Sequence, residues 1–442
     1  MFEVLNRNVL DWCKEYSGEK FHSLLCDPPY FLSSVAKRYG KEDSAPAKSN
    51  RLGGNDGFQG VNKGFMGKEW DNDIAFKPET WLALKEHLFD GAFLIAFASA
   101  RGWHRMACAM EDAGLIMHPS IFGWCYGSGF PKATRIKNNE VFVGHRYGLQ
   151  ALKPALEPIL VFQKPYSGKP VECITKTGAG ALNIDGTRIG TETIFVQGGK
   201  QGGVAYGDWA KEVNTTHQGR WASNFVLSHT SECVDGNCPE YCPVRKLGEQ
   251  SGDCGAFASV KSGQKGFGGV SYGKYKTKGD DGKTFYDEGK LGSASRFFFN
   301  SDFVLDKLEN ADAVIYQAKA SKVERNMGCE SLPMQKAGGM QGRNDGSFDG
   351  KITYNNNNHP TVKPLKLCEH LATLLLPPKE YAPRRLLVPF AGSGSEMIGA
   401  HLAGWEEIIG IELEKEYCNI AQARLKFWTA QIKLTQIETM VI

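Results

Sequence analysis

The stretch that most constrains this 442-residue chain is a run of strand character that has to stop: Phe21 to Cys26, followed at once by Asp27-Pro28-Pro29-Tyr30. The run is short and bounded, as a buried strand would be. The prolines end it, because they cannot donate to a ladder and each restricts the residue before it. Asp27 is thereby set at a strand's carboxyl end, where open α/β sheets place their ligand sites. Two prolines stiffen the turn and leave carbonyls without competing amide hydrogens. Tyr30 adds a flat face. Acceptors beside an aromatic plate suit an amino group on a planar heterocycle. A strand-terminating turn with a core tyrosine is the plainer alternative.

A second punctuated run lies near the far end, Leu386-Leu387-Val388-Pro389-Phe390-Ala391-Gly392-Ser393-Gly394-Ser395. Gly392 and Gly394 let the backbone turn tightly and approach a ligand closely. The helix expected from Ser395 to Ala403 begins with free amide donors. Glu412 ends the next apolar run, Ile408 to Ile411. An acid at that place in a βαβ unit accepts from ribose hydroxyls.

Between these ends the pattern alternates. Asn8 to Cys13 reads as a short capped helix, Trp81 to Phe89 as a helix, Ala92 to Phe97 as a buried strand and Trp103 to Ala113 as a helix. Pro119 to Tyr126 and Ile159 to Phe162 read as strands; Pro364 to Leu376 and Glu416 to Trp428 read as helices. Such alternation predicts an α/β fold, a mostly parallel sheet with helices on both faces. The chain's formal charge is only +3, so any polyanion binding must rest on local patches. Twelve cysteines in a chain of this length are too sparse for a disulfide scaffold and read as reduced thiols of a cytoplasmic protein. The amino terminus shows no secretory pattern, and the longest apolar stretch, Ala92 to Ala98, is too short to span a bilayer, so no membrane is expected.

Asp27-Pro28-Pro29-Tyr30 resembles the catalytic motif of amino-methylating DNA methyltransferases, and the loop at Gly392 resembles their S-adenosylmethionine-binding loop. The order, catalytic motif first, resembles the beta group. Gly64 to Asp71, Tyr126 to Lys132, Leu152 to Pro158 and His359-Pro360-Thr361-Val362-Lys363-Pro364 resemble stretches of phage and prophage adenine methylases. The resemblance implies a Rossmann-like methyltransferase fold interrupted by a large target-recognition insertion. Residues 1–170 would form its catalytic half, 171–355 the insertion and 356–442 the S-adenosylmethionine-binding half. It implies catalysis by Asp27, Pro28, Pro29 and Tyr30 on a base flipped from double-stranded DNA. The cofactor contacts would be Thr361, Lys363, Pro389, Phe390, Gly392, Ser393, Gly394, Ser395 and Glu412. The family's loop usually carries an acid before Pro-Phe; here Val388 stands there.

The Asp-Pro-Pro-Tyr form is associated mainly with adenine N6, so the expected product is N6-methyladenine. An N4-cytosine enzyme of the same fold and a non-catalytic DNA-binding relic are the alternatives, and related turns also methylate RNA and protein amides. A homodimer and a partner restriction nuclease are both compatible with this class. In 171–355 glycine is frequent, and Lys261, Lys265, Lys274, Lys276 and Lys278 follow one another with no acid among them, which suits phosphate or a solvated linker. Acidic and basic residues balance across the whole of that region. Cys233, Cys238, Cys242 and Cys254, with His229, could bind zinc, but the spacing is irregular and lacks Cys-x-x-Cys. Free thiols and no metal are the expectation. The loop from Lys37 to Asn62 is long enough to be a lid, a DNA contact or a disordered insertion.

Overall fold

The buried β-run beginning at Phe21 and the alternating pattern around it do form one sheet. The computed structural model describes residues 1–30, 73–126, 132–150, 152, 154–196, 215–229, 233, 237–251, 299–301, 320, 322–336 and 354–441. The loop Lys37–Asn62, the stretch Gly64–Asp71, the lysines from 261 to 278, Cys254 and part of Tyr126–Lys132 lie outside these residues.

In chain order the strands are β1 (Phe2–Asn6), β2 (Phe21–Cys26), β3 (Leu88–Phe97), β4 (Ile116–Met117), β5 (Phe122–Cys125), β6 (Lys132–Arg135), β7 (Arg146–Gln150), β8 (Leu156–Gln163), β9 (Ile189–Val196), β10 (Thr215–Arg220), β11 (Phe225–Ser228), β12 (Phe299–Ser301), β13 (Gln335–Lys336), β14 (Tyr354–Asn355), β15 (Arg385–Pro389) and β16 (Glu407–Glu412). The helices are α1 (Val9–Glu15), α2 (Pro78–Glu86), α3 (Trp103–Asp112), α4 (Pro170–Thr177), α5 (Pro243–Ser251), α6 (Lys322–Asn326), α7 (Leu365–Leu375), α8 (Ser395–Ala403) and α9 (Lys415–Val441).

The main sheet has the order β1-β16-β15-β2-β3-β8-β5-β11-β12, with β4 paired to β8. Its pairings are parallel except those of β8, which runs antiparallel to β3, β4 and β5. A parallel sheet needs both faces covered. Alternate residues along β2, β3 and β15 do this in turn: Leu25, Phe93, Ile95, Leu386 and Val388 pack under α7, α8 and α9. Leu24, Leu94, Ala96 and Leu387 point the other way, onto α1, α2 and α3. This is the mostly parallel, doubly covered α/β sheet expected from the alternation, and the Rossmann-like fold that the resemblance implied.

Two local expectations need correction. Leu88 and Phe89 belong to β3, not to the preceding helix, which starts at Pro78 and ends at Glu86. Their helical spacing lost to pairing, since Leu88 sits opposite Phe21 in the ladder. β8 extends from Leu156, earlier than its apolar core suggested, and carries Glu157 into the sheet.

Among the described residues, those of 171–355 join the rest of the fold at several places. Asn183 N–H donates to Leu374 O of α7 at 2.8 Å, and Cys173 Sγ to Asp90 O of β3 at 3.3 Å. β11 pairs with β5 and so adds itself and β12 to the main sheet. Met327, just past α6, packs in the core beside α9, and Glu324 accepts a hydrogen bond from the Leu365 amide at the start of α7, at 2.6 Å. Among the described residues no helix is long and apolar enough to cross a membrane.

Candidate active site

β2 is buried along its whole length, and Pro28 and Pro29 stay buried after it, so the Asp27 turn is held by packing as well as by proline stiffness. Beside it, β15 pairs Leu386 with Ser23 and Leu387 with Leu24. Continuing that register sets Phe390 next to Asp27. Turn and glycine loop therefore leave neighbouring strands, about 4.8 Å apart.

The turn is organised by one buried cation. Lys363 Nζ donates to Asp27 Oδ2 at 2.6 Å and to the Tyr30 hydroxyl at 3.0 Å, and lies 3.6 Å from Glu157 Oε2. The Tyr30 hydroxyl donates to Glu157 Oε2 at 3.3 Å. The ammonium also lies 4.7 Å from the Phe97 ring centroid and 5.2 Å from that of Tyr30. Burial opposes the charge on Lys363, but Asp27 and Glu157 outweigh it and hold the ammonium above the usual lysine value. Burial, then the charges of Asp27 and Glu157, push the Tyr30 phenol well up, so it stays neutral and keeps its proton to donate.

Asp27 Oδ1 has no such partner. It is buried, and among the described residues nothing donates to it. A buried acceptor left without a donor is costly and calls for an explanation. Glu396, in the first turn of α8, presents a similar case at Oε1. Burial and then the charge of Asp27 raise its carboxyl to about 7.

The glycine loop is tied from both sides. Gly392 N–H donates to Glu412 Oε2 at 2.7 Å, and Glu414 N–H to Oε1 at 2.8 Å. Glu412 is buried, which raises its carboxyl to about 7. Each of its oxygens keeps a second lone pair. Gly392 has φ +53°, and a Cβ there would meet His359 Nε2 at 2.8 Å; Gly394 has φ +77° and faces Ala421 of α9. These glycines are thus required by packing within the protein, whatever binds outside. Ser393 and Ser395 turn inward to Arg424, whose Nη1 donates to Ser393 O at 2.7 Å and to both hydroxyls at 3.1 Å. Val388 is fully buried under α7 and α8, in the apolar core.

The expected residues therefore fall into two adjoining groups. Asp27, Pro28, Pro29, Tyr30 and Lys363 meet at the turn; Pro389, Phe390, Gly392, Ser393, Gly394, Ser395 and Glu412 form the loop. Lys363 was expected among the cofactor contacts, yet its ammonium is engaged by Asp27, Tyr30 and Glu157. Thr361 is half-buried beside the loop. Its carbonyl lies 2.8 Å from His359 Nδ1, and burial lowers His359 to about 3, keeping that ring neutral. Sequence reading missed Glu157, Glu396, Arg424 and His359 as site residues. Glu157 carried a signal, a lone acid entering the apolar strand β8. Glu396 carried a weaker one, an acid just inside an apolar helix. Arg424 carried none, being one of several cations on a long helix.

Fold and site define a class: an α/β protein of Rossmann type, with an acidic turn and a glycine loop side by side on one rim of its sheet. A family model described as DNA methylase, of the N6/N4 group, matches residues 21–423, and the chain belongs to that family of S-adenosylmethionine-dependent DNA methyltransferases. Similar solved structures include M1.HpyAVI in complex with SAM, at 12% identity and TM-score 0.36 over 96% of this chain and 99% of that one. They also include the cytosine-N4-specific PvuII DNA methyltransferase, at 10% identity and TM-score 0.38 over 98% and 93%. A third is TTHA0409 of Thermus thermophilus, a putative DNA modification methylase complexed with S-adenosyl-L-methionine, at 10% identity and TM-score 0.34 over 98% and 94%. No curated protein matches the chain.

The donor-poor carboxylates fit this cofactor. S-adenosylmethionine carries an ammonium, ribose hydroxyls and a sulfonium; Glu396 Oε1 is buried without a donor among the described residues, and each Glu412 oxygen, with one amide donor, keeps a lone pair to spare.

Proposed function

We propose that this chain is a site-specific DNA methyltransferase that modifies the N6 amino group of adenine, flipped out of double-stranded DNA. The observation that carries the reading is the division of labour within Asp27. Oδ2 is held by Lys363, while Oδ1 is buried, aimed from a strand end and, among the described residues, without a donor. An exocyclic amino hydrogen would supply that donor. The Pro28 carbonyl would accept the other amino hydrogen, and Tyr30 would stack on the base.

S-adenosylmethionine supplies a methyl group already activated by its sulfonium. The protein's work is then positioning and electrostatics. Accepting both amino hydrogens turns the nitrogen lone pair toward the methyl. The formal charges of Asp27, Glu157 and Lys363 sum to one negative charge, which favours the positive charge that develops on the attacking nitrogen. The Asp-Pro-Pro-Tyr form supports adenine over cytosine. The cofactor set proposed is Glu412 on the ribose, the loop Pro389 to Ser395 along the nucleoside, and Thr361 at its methionine end. Lys363 acts as a positioning residue for Asp27 and not as a cofactor contact.

Asp27→Ala tests this directly. Methyl transfer should fall by at least the equivalent of about 3 kcal/mol, the scale of one preorganised polar contact, while S-adenosylmethionine still binds. Mass spectrometry of digested product DNA should show N6-methyladenine. N4-methylcytosine would replace adenine by cytosine, and unmodified DNA across many substrates would return the chain to a non-catalytic role.

A further inference from the structure

β11 runs parallel to β5, and through β8 both share the direction of β2 and β3. Its carboxyl end therefore opens on the same rim as Asp27, four strands away, or about 19 Å. His229 follows that end directly. The chain then carries Cys233 and Cys238 and returns to Cys242, the residue before α5. One ligand atom from each of these four residues lies within 4.8 Å of all the others. His229 Nδ1 is 3.2 Å from Cys238 Sγ and 3.5 Å from Cys242 Sγ. Cys242 is buried and the other three are half-buried.

The irregular spacing that argued against a metal in the sequence does not carry into three dimensions. The turn that closes Cys242 N–H onto Pro239 O, at 3.0 Å, replaces the tight knuckle of a Cys-x-x-Cys pair. Arg245 Nη1 donates to the Cys238 carbonyl at 2.7 Å and fixes the other side of that turn. The apolar cluster beneath is small: Leu227, Cys242 and Val244 buried, with Phe225 and Leu247 half-buried among its partners. So little buried surface holds a polar, cysteine-bearing segment poorly by itself, and this is where proteins use a metal instead.

We propose that His229, Cys233, Cys238 and Cys242 bind one structural zinc ion. Three thiolates and one imidazole form a closed tetrahedral set with no open position for substrate. Soft sulfur ligands favour zinc over magnesium, calcium or manganese. Zinc–sulfur bonds of about 2.3 Å give tetrahedron edges of about 3.8 Å, so the widest separation needs to close by roughly 1 Å at most, while the short contact between His229 and Cys238 opens slightly. The ion would clamp the end of β11 to the start of α5 and so fix where the chain departs toward residues 252–298. The inference stands apart from the methyl-transfer reading, because zinc content is measured without DNA or cofactor.

The test uses the full chain, purified reduced and without chelator, then dialysed against micromolar zinc. Elemental analysis should give about one zinc per chain. Exchange with cobalt should give the visible bands of a tetrahedral ion together with sulfur-to-cobalt charge transfer. Cys238→Ser and Cys242→Ser should each lose the metal, whereas Cys108→Ser, an exposed cysteine elsewhere, should keep it. No zinc bound by the intact chain would overturn the proposal. So would a cobalt spectrum without sulfur charge transfer, a disulfide within the set in the reduced protein, or metal retained by both variants. Should the variants fail to fold, the cobalt spectrum of the intact chain still decides.

Discussion

Replacing Lys363 with methionine should expose how the catalytic turn is held. The substitution keeps side-chain length and the contact with the Phe97 and Tyr30 rings but removes the charge. In the parent protein Lys363 is 4% exposed, and Asp27 and Glu157 are each 11% exposed. Water therefore screens this cluster little. Removing one partner of a buried ion pair costs about 3–5 kcal/mol, because a desolvated charge remains. Here two carboxylates remain. The loss should fall toward the lower end, because the pair can share a proton. That gives the loss a pH signature. Lys363 is held above its ordinary value, so its stabilisation is complete throughout neutral pH and is lost only as pH climbs through the raised value. In Lys363→Met the two buried carboxylates are left without their cation, and a proton taken up by either one would relieve that loss. The deficit should be largest at neutral pH and should shrink as pH falls into the ordinary carboxyl range. Urea denaturation at several pH values measures it, and Lys363→Met/Asp27→Asn should recover most of the stability. A deficit below about 1 kcal/mol, or one flat between neutral and mildly acidic pH, would show that the cluster is more solvated than this geometry allows.

The remaining expectations concern the two ligand groups. Tyr30→Ala should weaken methyl transfer by about 1–3 kcal/mol through lost stacking, measured by single-turnover kinetics on DNA. Tyr30→Phe should be milder but not silent, because Lys363 and Glu157 each lose a contact with the hydroxyl, worth about 1 kcal/mol net; parent-like rates and stability would deny that contact any role. Glu412→Ala should weaken S-adenosylmethionine binding in calorimetry, since it removes an acceptor for ribose and also frees the Gly392 amide. Equal affinity in mutant and parent would take Glu412 out of the cofactor site.

Elements whose signals are local were legible in the amino-acid order. Proline cannot sit in a central ladder, so the end of β2 and the placing of Asp27 at that end were readable from residues 21–30. Positive φ at Gly392 and Gly394 follows from a strand–loop–helix reversal that side chains oppose, and Glu412 closes the strand that must come next. Alternation then implied two helical layers, because a parallel sheet has no face to spare for water. What tertiary structure alone decided are the meetings of residues far apart in the chain. Lys363 reaches Asp27 across 336 positions, and its pairing with Glu157 depends on β8 running antiparallel in the middle of the sheet. Arg424 finds Ser393 and Ser395 only because α9 lies against α8. His229 joins three cysteines only because β11 enters the sheet beside β5. Periodicity reports which face of an element is buried. It does not report which buried charge will face another, since that depends on strand order, and strand order is decided by packing over the whole chain.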